Sequence, residues 1–538
     1  MCDIGQPRLG MALALARQLF FSADFCTLSP VHIMSLARKI FSNTAWQVIG
    51  KGVTAVLGII SVKFITNYLS PSTYGEYTTI YDYTALFAIV ADFGLFTIAV
   101  REMALGGEKG IVKKIVNNVL SLRLVLAVSA LGLGTLAAAL IPAYRGSHIP
   151  FGVLIVSIAT IITLIAGTMS SVLQYYLKMV WASVALTIGK IVTVAYILVV
   201  IIYIFPKDPN AGFPHLLFAW IVGGLVTILI TYIASSRNIK IAFEFDFSFW
   251  KTVLLKALPY GLALVLGTIY FRMGTVMLSL FNLKTDAGYY GVPLRFLEIL
   301  QIVPHYFMNS VLPILTVSLR EGSERTSRIL KYSINSLAAL AFPIFVGGYI
   351  LAWPLTAAVS SPDFLTHRVG DSVFYGSDMA LKILLAAMVF TYIHVVLNYA
   401  IVAMGRQTEL FWINGFIVIL NVSMNLFLVP RYGFIGAAVA AVSSEVVMLI
   451  LLLSRVVPRI KNIFDFPFLL KTVFSSVVMG GVLFLISDYF NQLLFSKSLL
   501  VLVPIGGLVF AVCMIATRAL TKEMLALIKK SEPPRAEL

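Results

Sequence analysis

Charged residues are scarce in this chain: only 12% of its 538 residues are Asp, Glu, Lys or Arg, and 59% are hydrophobic. A soluble protein of this size needs a far more charged surface, so the composition excludes a soluble globular fold. The three cysteines, Cys2, Cys26 and Cys513, are too far apart for a disulfide framework or a metal site. A nucleotide-binding Walker loop, a zinc signature and a Gly-x-Ser-x-Gly elbow are also missing. We therefore expect no cofactor, no metal and no enzymatic activity.

Long apolar segments make up most of the chain. A helix of about 20 apolar residues crosses the ~30 Å hydrocarbon layer of a membrane. Fourteen segments meet this length, so the sequence predicts an all-α polytopic membrane protein with about fourteen transmembrane helices. They lie at roughly 44–66, 78–100, 115–141, 151–177, 181–205, 214–235, 252–281, 290–318, 333–358, 379–403, 409–429, 433–454, 469–488 and 498–517.

The loops between these segments alternate between basic and nearly uncharged. Lys and Arg number 24 in the loops of one face and 6 in those of the other. Loops rich in Lys and Arg stay in the cytoplasm, which predicts cytoplasmic N- and C-termini in the cytoplasmic (inner) membrane. Membrane topology and anionic lipid head groups also account for most of the net charge of +16. We therefore expect membrane lipids as partners and no nucleic acid.

The first 33 residues do not follow this pattern. Their apolar run, Met11–Phe21, contains Arg17 and Gln18 and is too short to span a membrane. Met34 begins a short basic lead into the first span. We expect residues 1–33 to be a disordered extension or the result of a mis-assigned start, with translation beginning at Met34.

A faint internal repeat indicates two lobes. Gly75-Glu76-Tyr77 opens the second span and Arg101-Glu102 closes it, while Gly288-Tyr289-Tyr290 and Arg320-Glu321 occupy equivalent places in the eighth. Two six-helix repeats of the same orientation predict a central substrate cavity between the lobes. The predicted units are an extension (1–33), an N-lobe (34–240), a C-lobe (241–458), two further C-terminal helices (459–520) and a cytoplasmic tail (521–538).

Ionisable side chains inside the spans are the candidate functional residues, because burying a charge in a bilayer is costly unless it faces a cavity or a partner. Basic residues in this set outnumber acidic ones, which favours an anionic substrate such as a phosphate and disfavours cationic drugs. The candidate substrate-binding cations are Lys51, Arg123, Lys190, Arg272 and Arg295. The candidates for coupling or gating are Asp82, Asp92, Glu298, His305 and Glu445.

Several of these residues also have a purely structural interpretation. Arg123 could serve membrane topology, and Arg295 could pair with Glu298 one helical turn away. Asp92-Phe93-Gly94 is typical of a helix kink. Lys63 is close enough to the membrane interface for its ammonium to reach water. Both interpretations stay open at this point.

The motifs of both halves resemble one family. Tyr68-Leu-Ser-Pro-Ser-Thr-Tyr-Gly-Glu-Tyr77, Ala91-Asp-Phe-Gly94, Gly288-Tyr-Tyr290 with Arg295, and Val429-Pro-Arg-Tyr-Gly-Phe-Ile-Gly-Ala-Ala438 look like the signature of polysaccharide-transport proteins. These include the Wzx-type O-antigen and related lipid-linked oligosaccharide flippases of the multidrug/oligosaccharidyl-lipid/polysaccharide (MOP) exporter superfamily. The resemblance covers about 34–518.

This resemblance implies alternating access, driven by an ion gradient, to a cationic cavity that takes the head of a polyprenyl-pyrophosphate-linked oligosaccharide. It also implies the polymerase and chain-length machinery of polysaccharide synthesis as partners, while a cavity within one chain predicts a monomer. Relatives often carry an aspartate where this chain has Gly274, so the resemblance alone leaves Arg272 without its usual acidic neighbour. The alternatives are a cation-coupled multidrug exporter and, less favoured, a polysaccharide polymerase or ligase.

Overall fold

The computed structural model describes residues 30–106 and 109–519. The predicted N-terminal extension up to residue 29 and the C-terminal tail lie outside this range. The described chain is almost entirely helical, apart from a short hairpin in one loop, where strand β1 (His367–Val369) pairs antiparallel with β2 (Ser372–Phe374).

Sixteen α-helices make up the described fold. In chain order they are α1 (Pro30–Tyr68), α2 (Pro71–Asp92), α3 (Leu95–Gly106), α4 (Lys109–Leu140), α5 (Ile149–Tyr175), α6 (Met179–Val199), α7 (Pro209–Ser236), α8 (Phe247–Leu280), α9 (Lys284–Leu300), α10 (Ile302–Glu321), α11 (Ser323–Ile350), α12 (Ala352–Val359), α13 (Ser377–Ala403), α14 (Gln407–Val456), α15 (Phe466–Leu494) and α16 (Leu499–Ala516).

Thirteen stretches of the described chain are long and apolar enough to cross a membrane. One of them, α14, has 50 residues and is two helices joined at a kink, where Gly433 has φ 56° and ψ −136°. Pro430 lies just before the kink. Counting both halves of α14 gives the fourteen predicted spans, and the protein is a multi-pass membrane protein.

Two spans are broken for identifiable reasons. The second changes from α2 to α3 at Phe93 and Gly94, which have φ values of 40° and 72°, so the predicted kink is confirmed. The eighth breaks between α9 and α10 at Gln301. Pro304 has no N–H to donate to the carbonyl of Leu300, and the hydroxyl of Tyr392 donates to that carbonyl at 2.8 Å instead.

The buried side chains form three large cores. Two are built mainly from the first half, from Ile65 to Leu217 and from Leu95 to Ile239, and each also includes buried residues of the second half, such as Val276 and Trp250. The second half contributes one large core from Met277 to Ile463. The last two helices, α15 and α16, pack against α11 through residues such as Met479. This packing agrees with a two-lobe arrangement, although the exact lobe boundaries stay a prediction.

The repeated glycines hold the two halves together. A Cβ atom on Gly75 would lie 1.8 Å from the carbonyl oxygen of Lys284, and one on Gly288 would lie 2.0 Å from that of Pro71. Both residue pairs, Gly75 with Gly288 and Pro71 with Lys284, are 213 residues apart. The contact between α2 and α9 is therefore reciprocal, as expected for two repeats related by an axis along the membrane normal.

Polar contacts join the halves near this glycine contact, on the face away from the basic loops, which we call the outer face. The ammonium of Lys284 donates to Glu76 at 2.7 Å, and the hydroxyls of Tyr144 and Ser279 lie 2.9 Å apart. The Lys63 ammonium, which the sequence suggested would reach water, instead donates to the carbonyls of Ala357 and Ser360, both at 2.8 Å. The outer ends of the two halves are thus closed against each other.

On the opposite face, the segment between α7 and α8 is bound to α4. The amides of Ala242, Glu244 and Asp246 donate to side chains of Asn117, Ser121 and Asn118. The Lys114 ammonium, together with the amide N–H of Phe249, holds the pKa of Asp246 below its usual range. The alternate residues Phe243, Phe245 and Phe247 are exposed, as expected for a segment at the membrane interface.

Candidate functional site

Four of the predicted residues meet where the two halves join. The Arg272 guanidinium on α8 donates to Asp82 on α2 and to Glu298 on α9, both at 2.7 Å. Arg295, one turn before Glu298, donates to the same carboxylate at 2.9 and 3.0 Å. The Asp82 side chain is fully buried. The pairing of Arg295 with Glu298 that the sequence suggested is confirmed.

This group, the central ion cluster, links three helices from both halves. It supplies Arg272 with acidic partners despite Gly274, because Asp82 and Glu298 take the place of the aspartate that relatives often carry. Two arginines face two carboxylates, so the cluster balances its own charge. Asp82 and Arg295 are also 213 residues apart, so they occupy equivalent positions of the two repeats with opposite charges.

Two of the predicted cations line a different cavity, which we call the lysine cavity. It lies among α1, α5, α6 and α7, has a volume of about 380 Å³, and is lined by Lys51, Lys190 and Trp220. The Lys190 ammonium lies 4.1 Å from the centre of the Trp220 ring, a favourable cation–π geometry. Lys190 is also close enough to Arg295 and Glu298 for a coulombic interaction with both.

The wall of the lysine cavity contains no Asp or Glu among the described residues. Neither lysine forms an ion pair with a carboxylate in the part of the chain that the structure describes. The other polar groups of the wall are hydroxyls and one amide, which suit the hydroxyls of a sugar: Gln47, Thr54, Thr163, Ser183, Thr193 and Thr227. The excess positive charge is therefore in this cavity rather than in the central ion cluster.

Arg123 and Asp92 lie apart from both groups. The Arg123 guanidinium on α4 pairs with Asp92 at the end of α2 and donates to the hydroxyl of Thr168 at 3.1 Å. Arg123 is only 5% exposed. The pair holds three helices together beside the Phe93–Gly94 kink, and the structure brings neither residue to the central ion cluster or to the wall of the lysine cavity.

Glu445 and His305 line a third space, the Glu445 cavity, inside the second half. This cavity has a volume of about 250 Å³, and its wall includes Tyr270, His394, Asn398 and Gln301. The Tyr270 hydroxyl donates to one oxygen of Glu445 at 2.9 Å. Nδ1 of His394 lies 3.0 Å from the other.

An apolar groove begins next to the central ion cluster. Phe296, Ile299 and Leu300 of α9 form one wall, and residues of α1, α11, α12, α13, α15 and α16 line the rest of a volume of about 430 Å³. On the same helix, Arg295 directly precedes Phe296, and Glu298 directly precedes Ile299. Consecutive turns of α9 therefore contact both the ion cluster and the groove.

The sequence does not identify Trp220, Tyr270 or the contacts of Lys63 with backbone carbonyls as parts of these sites. Aromatic residues are common in membrane spans, so nothing in the local pattern of Trp220 or Tyr270 distinguishes them. Only their distances to Lys190 and Glu445 do so.

The comparisons with known proteins agree with this architecture. The family model described as "polysaccharide biosynthesis protein" matches residues 40–319, more than half of the chain. The chain belongs to this family. The motifs of the second half extend the likeness beyond the matched range.

Curated relatives of this chain are named as flippases or transport proteins. A probable flippase, AglR, of Haloferax volcanii is 24% identical over 41% of this chain and 45% of its own length. The succinoglycan biosynthesis transport protein ExoT of Rhizobium meliloti is 24% identical over 59% of this chain and 62% of its own. The probable low-salt glycan biosynthesis flippase Agl15 of Haloferax volcanii is 22% identical, over 40% and 44%. The matches thus span about half the length of these relatives.

Solved structures share the fold over most of the chain. The lipid II flippase MurJ, in an inward closed conformation, superposes with a TM-score of 0.69 at 18% identity, covering 88% of this chain and 99% of MurJ. An inward-facing multidrug resistance transporter of the MATE family superposes with a TM-score of 0.58 at 14% identity, covering 75% and 95%. The chain therefore shares the fold of these two proteins, and these low identities carry no argument about substrate.

Proposed function

We propose that this protein is a flippase that moves a polyprenyl-pyrophosphate-linked oligosaccharide across the cytoplasmic membrane for the synthesis of a cell-surface polysaccharide. It works by alternating access driven by an ion gradient and is not an enzyme. The names of the relatives support a lipid-linked saccharide as the substrate class. A monomer with cytoplasmic termini, working beside a polymerase and chain-length proteins, completes the proposal.

The lysine cavity carries this proposal. Lys51 and Lys190 face a space of about 380 Å³ without a carboxylate in its wall, so an anion entering it gains charge-assisted hydrogen bonds without repulsion. A pyrophosphate supplies such an anion, and the hydroxyl-lined wall suits the attached sugars. A cationic drug would meet two ammonium groups instead, which disfavours the multidrug exporter.

The apolar groove supports a lipid-linked rather than a free saccharide. Its walls are formed mainly by aliphatic side chains and Phe296. A Cβ on Gly507 would meet nothing within 4 Å, so this glycine of the wall leaves room for a hydrocarbon chain. We propose that the polyprenyl tail lies in this groove while the pyrophosphate and sugar head occupies the lysine cavity. Burial of each CH₂ group of the tail would contribute about 0.8 kcal/mol.

The central ion cluster supports alternating access. Arg272 and Glu298 bind each other and, through Asp82, the other half of the molecule. A pyrophosphate beside Arg295 competes with Glu298 for the same guanidinium, which would weaken the contact between the halves. Substrate binding is thereby coupled to separation of the lobes.

The test is thermal unfolding of the purified protein titrated with a polyprenyl-pyrophosphate saccharide. A ligand at 100 times its Kd adds about 2.7 kcal/mol to the free energy of unfolding if it binds only the folded state. We expect stabilisation of the native protein, and a loss of this effect in Lys51→Gln and Lys190→Gln. Lys207→Gln, an exposed lysine on the outer face, is the matched control and should behave like the native protein.

The same titration with cationic drugs tests the alternative. Stabilisation by cations and not by the pyrophosphate lipid would overturn the proposal. Stabilisation by the lipid that survives in both lysine variants would move the binding site away from the lysine cavity.

A further inference from the structure

Glu445 is a buried carboxylate that forms no ion pair with a Lys or Arg side chain among the described residues. It is 5% exposed and lies in the middle of the second half of α14. The two cavities that it lines contain no Lys or Arg in their walls among the described residues. An ionised carboxylate in such a place is strongly disfavoured unless a proton or another cation compensates it.

The only basic group that contacts Glu445 in the described chain is the imidazole of His394, on α13. Nδ1 of His394 lies 3.0 Å from Oε2 of Glu445, yet neither atom has a well-aligned hydrogen-bond partner. If this nitrogen carries no proton and the carboxylate is ionised, two acceptors face each other. A proton held by either group removes that repulsion.

The groups that surround the pair leave its charge uncompensated. Tyr270 of α8 donates to Oε1 of Glu445, and Tyr290 of α9 interacts with Tyr270. His305 of α10 interacts with His394 and lies on the exposed side of the cavity. Asn421, in the first half of α14, donates to Ser444 beside Glu445. An ionised Glu445 beside a neutral His394 therefore gives a net charge of −1 in this part of the interior.

We propose that Glu445 and His394 form a proton-binding pair that takes up one proton from the exposed side of the cavity, past His305. The proton makes the pair neutral, either as a carboxylic acid beside a neutral imidazole or as a carboxylate beside an imidazolium. Its release restores a buried negative charge between α13 and α14, which favours a rearrangement of these helices. The inference rests on the proposed function, for which it names the coupling ion and its site.

Infrared difference spectroscopy of the purified protein between two pH values tests proton binding without any substrate. We expect a carboxyl band that changes with pH, either a carboxylic acid band or a shifted carboxylate band, and proton uptake of about one per protein for the coupled pair. Glu445→Gln should remove the band while keeping the shape of the side chain. Glu324→Gln, at a carboxylate whose side chain is 92% exposed, is the matched control and should keep it.

His394→Gln separates a proton-binding pair from a merely structural contact. If the two groups titrate together, this change shifts the pH midpoint at which Glu445 takes up its proton. An unshifted midpoint would overturn the pairing, and absence of any Glu445-dependent band or proton uptake would overturn the site. This variant also provides a measurement if Glu445→Gln does not fold.

Failure of the inference can be distinguished from failure of the proposed function. Glu445→Gln should still be stabilised by the pyrophosphate lipid, because its side chain is not in the lysine cavity, but its transport should no longer respond to a pH gradient. Stabilisation of the native protein by Na⁺ that is lost in Glu445→Gln, without proton uptake, would show a sodium site and contradict the proton. If the lipid fails to bind while the pair still titrates, the proposed substrate is wrong and the proton site stands.

Discussion

The glycine contact between α2 and α9 makes a quantitative prediction about the closed outer face. Gly75→Ala places a methyl group 1.8 Å from the backbone carbonyl oxygen of Lys284. A carbonyl oxygen in a helix cannot rotate away as a flexible side chain could, so the two helices must separate. The substitution should therefore favour a state in which the outer ends of the lobes are apart.

The cost of overpacking alone sets the size of the effect. Overpacking of this kind costs about 1–3 kcal/mol. Alanine also stabilises a helix relative to glycine by roughly 0.5–1 kcal/mol, but it does so in both states and does not change their ratio. The ratio of open to closed outer face should therefore rise by about 5- to 150-fold.

Cysteine labelling from the outer face measures this ratio. Ser279 is 2% exposed, and its hydroxyl contacts that of Tyr144. A cysteine at this position (Ser279→Cys), in a variant without the natural cysteines, should therefore react slowly with a membrane-impermeant thiol reagent. Gly75→Ala should accelerate the reaction. Gly58→Ala is the matched control, because a Cβ at this helical glycine meets nothing within 4 Å.

Equal labelling rates in the Gly75→Ala and Gly58→Ala proteins would refute this reasoning. It would mean that the outer faces are already apart in the membrane, or that the contact does not limit their separation.

Three further outcomes follow from the described contacts. Asp82→Asn leaves the Arg272 guanidinium with one carboxylate partner at a buried site. Removing a partner from a buried ion pair costs about 3–5 kcal/mol. We expect the free energy of unfolding, measured by thermal unfolding, to fall by the lower end of this range, because Glu298 remains as a partner and Arg272 is partly exposed. Lys51→Gln should weaken binding of inorganic pyrophosphate and reduce the salt dependence of that binding, measured by calorimetry at two ionic strengths. Asn117→Ala removes two hydrogen bonds to the segment around Glu244 and should increase proteolysis there, while unchanged cleavage would contradict a role of the side chain in holding this segment.

The membrane spans could be predicted from the sequence because they depend on local signals. Apolar length and loop charge fix a helix and its orientation without reference to any other part of the chain. The Phe93–Gly94 kink and the pairing of Arg295 with Glu298 are local in the same sense.

The contacts of the site could not be predicted in this way. Arg272 and Asp82 are 190 residues apart, and the sequence contains no signal that joins them. Counting basic and acidic residues predicted a cationic cavity but could not show that the arginines are neutralised in the central ion cluster. The structure places the uncompensated charge at Lys51 and Lys190, where sequence alone gave no reason to prefer them over Arg272.

Translocation in reconstituted vesicles tests the central claim most directly. A fluorescent polyprenyl-pyrophosphate saccharide is placed in both leaflets, and the fraction protected from an impermeant quencher is followed with time after an ion gradient is imposed. We predict that the native protein redistributes the lipid between the leaflets and that Lys190→Gln does so much more slowly, while Lys207→Gln equals the native protein. Transport of a cationic drug by the same vesicles, with no redistribution of the lipid, would contradict the account.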